Sequence, residues 1–194
     1  FGGGTGTLTL RDSTGTGRAN ITMGSNTTGT AYGANNLFDV TGHSADLLVG
    51  TLTMGDYPNR SGATTQTLSF DAGTLDVTRV IMADDKGSGA LTATMNLGGG
   101  TVLIGTGGVQ LAKNGTGNLN ITGNASVTSA GDIFKATGTG TANLTLNGAG
   151  AVLDMRGNDI TGLTSFVFRD GTLRDVGSVN SPITLPRAGR RATG

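Results

Sequence analysis

The chain has no cysteine and no tryptophan, one histidine, three prolines, six phenylalanines and two tyrosines. Without cysteine, disulfides and thiolate metal sites are excluded. With so few aromatic rings, a core has to be filled by aliphatic side chains. His43 has no sequence partners for a catalytic triad or a histidine metal site, so it reads as a corner or solvent-facing residue. Charge is scarce and balanced: 13 basic and 13 acidic residues give a formal net charge of zero. That argues against nucleic acid or an anionic membrane as the main partner. No segment approaches the roughly 18 consecutive apolar residues of a membrane span, so membrane insertion is not expected.

What the chain does have is glycine, 36 residues of it, together with abundant Thr and Asn. The glycines lack a three-residue period, which removes collagen. Low charge combined with regular apolar alternation removes disorder. The alternation recurs. Leu68-Ser69-Phe70, Met95-Asn96-Leu97, Leu119-Asn120-Ile121, Leu144-Thr145-Leu146 and Phe166-Val167-Phe168 each read apolar, mostly polar, apolar, the period of a strand with one buried face. Their last apolar residues are separated by 27 (70 to 97), 24 (97 to 121), 25 (121 to 146) and 22 (146 to 168) positions. A glycine- or asparagine-rich corner follows each, suited to positive φ. A second strand then begins at Leu75, Val102, Val127, Val152 and Leu173 in turn. A third, weaker strand follows at Val80, Val109, Ile133 and Ile160.

The N-terminal part follows the same plan with longer excursions. Leu47, Val49, Leu52, Met54 and Asp56 lie over Leu75, Val77, Val80, Met82 and Asp84 at an offset of 28. Asn20 to Gly24 resembles the third strand, and inserts at Ser25–Asn35 and Tyr57–Thr65 follow corresponding strands. A unit of about 25 residues buries too little apolar surface to offset the entropy of ordering it. Stacked units share one interior and pair their backbones above and below. The expected fold is therefore all-β: a right-handed parallel β-helix (β-solenoid) with three short strands per turn, about 25 residues per turn and roughly seven or eight turns. A β-sandwich is the structural rival. Residues 1–180 are expected to form one solenoid domain, with longer inserts in 1–66 and regular turns in 67–180. Residues 181–194, with two prolines and three arginines, are expected to be a cap, linker or tail. Because the chain begins at Phe1, a processed or excised protein is expected.

Candidate chemistry is sparse. Asp71 and Asp76 flank one corner, Asp84 and Asp85 end a strand, and Asp170 and Asp175 flank a late corner. Glycosidic chemistry needs two facing carboxyl groups. The positions expected to match Asp71, namely Gly98, Thr122, Asn147 and Arg169, build no such cluster. Calcium-binding Gly-Asp nonapeptides and phosphate loops are missing as well. No catalytic residue, cofactor or metal is expected. Thr-x-Thr pairs at Thr7–Thr9, Thr51–Thr53 and Thr92–Thr94 invite an ice-binding ladder. They are not expected to recur at one place in successive turns, since Thr53 matches Ile81. Asn-x-Ser/Thr sequences at Asn20, Asn26, Asn120 and Asn143 are the frequency expected of a chain rich in both residues.

Units such as Gly117-Asn118-Leu119-Asn120-Ile121-Thr122-Gly123-Asn124-Ala125 and Thr141-Ala142-Asn143-Leu144-Thr145-Leu146-Asn147-Gly148-Ala149-Gly150 resemble the autotransporter-associated β-strand repeat of bacterial surface and secreted proteins. The resemblance covers about Ala45 to Val176. It implies an extracellular or cell-surface β-helix. The expected role is a structural or adhesive module of a surface protein or extracellular fibre. The expected partners are other copies of the chain, stacked head to tail, or a host or matrix surface. Phe1, Leu8, Leu10, Ile183 and Leu185 are the candidate end-to-end contacts. The alternative is a carbohydrate-binding or polysaccharide-degrading module, with Tyr32 and Tyr57, the only tyrosines, on an insert rim that meets glycans.

Overall fold

Alternating burial decides the local structure. In Leu91–Leu97 every second side chain is buried and the ones between are half-exposed, the pattern of a strand that belongs to a one-sided wall. The computed structural model describes residues 6–25, 31–32, 34–57, 60–85 and 90–185. In chain order the strands are β1 (Thr7–Leu10), β2 (Ala19–Ser25), β3 (Ala31–Tyr32), β4 (Asn36–Asp39), β5 (Ser44–Tyr57), β6 (Arg60–Ser61), β7 (Thr64–Phe70), β8 (Gly73–Asp85), β9 (Leu91–Leu97) and β10 (Thr101–Ile104). There follow β11 (Val109–Ala112), β12 (Thr116–Thr122), β13 (Ser126–Ser129), β14 (Ile133–Lys135), β15 (Thr141–Asp154), β16 (Ile160–Thr161), β17 (Ser165–Arg174), β18 (Val179–Asn180) and β19 (Ile183–Thr184). No helix occurs among the described residues.

All the main pairings are parallel, and they fall into three ladders. The first face stacks β4, β7, β9, β12, β15, β17 and β19. The second stacks β1, β5, β8, β10, β13, β15 and β17. The third stacks β2, β5, β8, β11, β14, β16 and β18. The chain visits these faces in rotation, so the fold is a parallel β-solenoid and the sandwich alternative falls. The long strands β5 and β8 bend through a corner and serve two faces each.

Inside, like stands on like. Phe70, Leu97, Ile121, Leu146 and Phe168 form one column. Leu47 pairs with Leu75, Val49 with Val77, Leu52 with Val80 and Met54 with Met82, at the expected offset. Met23 continues that last column upward. The columns from Leu47 to Phe166 are almost all fully buried. At the lower end the Phe166 and Phe168 rings lie 6.3 Å apart, stacked. Towards the upper end two inward positions of β7 are polar, Thr64 and Gln66. Gln66 is fully buried and stands in the narrow column of Ala93, Gly117 and Ala142. Its amide accepts from Asn36 Nδ2 at 2.8 Å and donates to the Ala34 carbonyl at 2.9 Å, so the buried group is satisfied.

The corners between first and second faces use glycine with positive φ: 92° at Gly73, 68° at Gly100, 56° at Gly123 and 109° at Gly171. At Gly73 a Cβ would also collide with the backbone of Ala45 one turn above. The requirement for glycine there is therefore double.

Three expectations change. Val127 pairs with Leu153, not Val152, because the chain passes through the 148–150 corner one residue later; Leu153 is buried and Val152 half-buried. A register shift after Leu146 sets Asp170, not Arg169, against Asn147. The last rung also reaches beyond residue 180: Ile183 and Thr184 pair with Phe166 and Val167, so part of the expected tail is solenoid. The two N-terminal inserts meet each other, with Ala31 paired to Arg60 and Tyr32 to Ser61 in a small separate ladder.

Candidate functional site

Alternation that buries one set of side chains on the first face exports the other set to solvent. The exported set is unusually uniform. Thr65, Thr92, Thr116 and Thr141 form one outward column. Beside it run Thr67, Thr94, Asn118 and Asn143, and then Ser69, Asn96, Asn120 and Thr145. These twelve positions, three along each of β7, β9, β12 and β15, are all Thr, Ser or Asn. Rungs stand about 4.8 Å apart and alternate residues along a strand about 6.7 Å apart, so the face is a two-dimensional grid of small polar groups.

The grid is internally tied. Asn143 Nδ2 donates to Asn118 Oδ1 at 2.9 Å, and Asn118 Nδ2 to Thr94 Oγ1 at 3.3 Å. In the next column Asn120 Nδ2 donates to Asn96 Oδ1 at 2.9 Å, and Asn96 Nδ2 to Ser69 Oγ at 3.5 Å. Thr side chains are stiff at χ1, and the amide ladders hold the Asn side chains, so the outward groups keep their positions. Each amide spends one donor along the ladder and retains a second donor and a lone pair for an external ligand. Alongside the first column a shallow groove of about 200 Å³ is lined by Thr92, Thr116, Thr141, Thr139, Asn114 and neighbouring residues. The three Thr-x-Thr pairs singled out in the sequence fall on three different faces, as expected; the first-face pair has one further Thr-x-Thr neighbour. Thr92-x-Thr94 lies between Thr65-x-Thr67 and Thr116-x-Asn118. The pair at Thr51–Thr53 belongs to the third face, where Thr53 meets Ile81 as expected.

The other two faces are not uniform. One outward column of the second face reads Leu48, Asp76, Leu103, Thr128, Asp154 and Arg174. One of the third reads Thr22, Thr53, Ile81, Gln110, Phe134 and Thr161. The ion pairs involve none of the twelve grid positions. Arg18 grips Asp76 at 2.9 Å through two oxygens, Arg11 meets Asp46 at 2.5 Å, and Lys113 meets Asp84 at 3.3 Å. The buried Asp154 carboxylate holds Arg174 at 3.0 Å and Arg156 at 3.5 Å. Asp71 accepts from the Gly42 N–H at 3.0 Å, a corner contact. Two exposed aspartates cap their own turns. The Thr41 N–H and then its hydroxyl donate to Asp39 and hold its carboxyl below the usual range. The Thr14 hydroxyl, ahead of nearby backbone N–H groups, does the same for Asp12. Among the described residues no three His, Asp or Glu side chains gather as a metal site would need.

The sequence-predicted end contacts separate by position. Leu8 and Leu10 lie half-buried or nearly so on β1, the first strand of the second ladder. Ile183, on the last strand of the first, is 45% exposed, and Leu185 just beyond is 62% exposed. Leu37 on β4 is 68% exposed at the opposite end of that face and was missed by the sequence, because an isolated apolar residue beside an insert carries no periodic signal. Phe1 lies outside the described residues. Tyr32 sits on β3 and Tyr57 ends β5, where its backbone pairs with Asp85; their side chains lie outside what the structure describes. The excursions that carry the tyrosines are joined through β3 and β6, and they lead into the first face, where the Thr65 N–H donates to Asn35 Oδ1 at 2.8 Å.

Comparison with protein-family models, with curated proteins and with solved structures gives no match to this chain.

Proposed function

We propose that the chain is a structural and adhesive module of a bacterial surface protein or extracellular fibre, able to stack head to tail. One observation carries this reading: all three ladders stop on strands that have no further partner among the described residues, β1, β2 and β4 at one end and β17, β18 and β19 at the other. Such edges present rows of unpaired N–H and C=O groups in the same three-sided layout. A second copy placed end to end continues every ladder, and repetition of that contact gives a filament. Leu37, Ile183 and Leu185 add exposed apolar surface at these ends. The resemblance of the repeat units to autotransporter-associated repeats supports an extracellular or cell-surface setting.

Sedimentation and negative-stain electron microscopy across a concentration series test it. Concentration-dependent linear species that shorten in an Ile183→Lys, Leu185→Lys variant are expected. Monodisperse monomers at high concentration contradict it.

A carbohydrate-binding role is the second reading, supported by the pairing of the two tyrosine-bearing inserts through β3 and β6. A glycan array on the intact chain tests it. Binding that is lost in a Tyr32→Ala, Tyr57→Ala variant supports this reading, and an array without hits ends it.

A further inference from the structure

We propose that the threonine–asparagine grid of the first face, built from β7, β9, β12 and β15, is an ice-binding surface. A solenoid needs apolar residues only on its inward positions. The outward positions are free to vary, and on the second and third faces they do: Leu48, Asp76, Leu103 and Thr128 share one column. Burial therefore does not dictate the twelve consecutive grid positions of Thr, Ser and Asn on the first face. Other chemistry begins at Leu37 and Asp39 above and at Val167 below, while the column of Asn143 continues one rung further to Ser165.

The chemistry of the grid selects its ligand. A nucleic acid or anionic lipid calls for basic side chains, and the grid has none. A protein partner calls for a desolvated aromatic or arginine anchor, which is also missing. A sugar chain is best met by an aromatic platform, and none of the twelve grid positions is aromatic. What remains is a ligand that is uncharged, both donates and accepts hydrogen bonds, and repeats in two directions. Crystalline water has those properties. The grid repeats in two directions, at about 4.8 Å and about 6.7 Å, as a crystalline ligand does. Hydroxyls and ladder-held amides anchor lattice waters, while threonine methyl groups between them leave no competing polar partner. Because the side chains are already fixed, little rotamer freedom is lost on binding. This inference uses other residues than the end-to-end contact and is tested independently of it.

The test is ice partitioning with the intact chain. Ice is grown slowly from a protein solution, protein in the solid and liquid fractions is measured, and single crystals are watched for faceting. Wild type is expected to enter the ice and to shape crystals. Thr92→Tyr and, as a second variant, Thr116→Lys are expected to be excluded while keeping the wild-type circular dichroism spectrum and melting curve. Leu103→Lys, on the second face, is expected to partition as wild type. Exclusion of wild type from ice overturns the proposal. So does equal loss in Leu103→Lys, or wild-type partitioning in both grid variants. Retention of the chain on powdered cellulose or chitin without any entry into ice also overturns it, in favour of a glycan surface.

Discussion

The side-chain amide of Asn143 donates to the side-chain oxygen of Asn118 at 2.9 Å, across 25 residues of sequence. The two Cα atoms are register partners in adjacent rungs. A contact so distant in sequence and so direct in space is the signature of stacking, and it carries a measurable share of stability.

Asn118→Ala is expected to destabilise the fold by about 0.5–1.5 kcal/mol, the net worth of a hydrogen bond, with some addition for the partners it orphans. Urea unfolding monitored by circular dichroism reads this as a lower midpoint at unchanged slope.

Much of the interior is legible in the sequence. Phe70, Leu97, Ile121, Leu146 and Phe168 announce one column because burial forces alternation on each strand. The apolar run Ala151-Val152-Leu153 defeats the same logic. It offers two phases, and only the length of the preceding corner chooses Leu153. The polar grid was hidden for a different reason. Outward positions obey no burial rule, so Thr65, Thr92, Thr116 and Thr141 look like scattered strand threonines until the register is known. They are nevertheless spaced by the same steps as the inward column, and transferring that step to the outward positions would have exposed them. Gln66 gave no warning either, since a buried amide is satisfied by Asn36 from another rung, which no local pattern records.

Gly73→Ala is expected to cost at least about 2 kcal/mol, since it combines an unfavourable positive φ with a clash against the backbone of Ala45. Gly42→Ala also meets a positive φ but has open space around it, so its cost is expected to be smaller. Comparing the two midpoints separates conformational strain from collision between rungs.

Leu97→Ala removes a fully buried side chain from the middle of the interior column. A loss of about 2–5 kcal/mol is expected. Leu185→Ala, on an exposed residue, is expected to change stability by less than about 0.5 kcal/mol. Thermal melts of both variants check the contrast.

Asp39 and Asp12 have carboxyls held below their ordinary value of 3.8 by hydrogen bonds from Thr41 and Thr14. A depressed folded-state pKa favours the folded chain above the unfolded value, and that contribution disappears as pH falls through the folded value. Acidification through and below about pH 3.8 is therefore expected to lower the melting temperature. In an Asp39→Asn, Asp12→Asn variant this part of the fall is expected to be smaller, as read by melting curves at a series of pH values.

The absence of native cysteine permits a direct test of the stacked register. Thr92 and Thr116 are partners in adjacent rungs, whereas Thr92 and Asn118 are one column apart. Disulfides require Cα atoms about 4.4–6.8 Å apart, and separations above about 7 Å cannot be bridged without backbone movement. Under mild oxidation, Thr92→Cys with Thr116→Cys is expected to form an intramolecular disulfide in high yield, and Thr92→Cys with Asn118→Cys is expected to remain reduced. Equal crosslinking of the two pairs, or crosslinking of the second alone, would contradict the rung-on-rung arrangement.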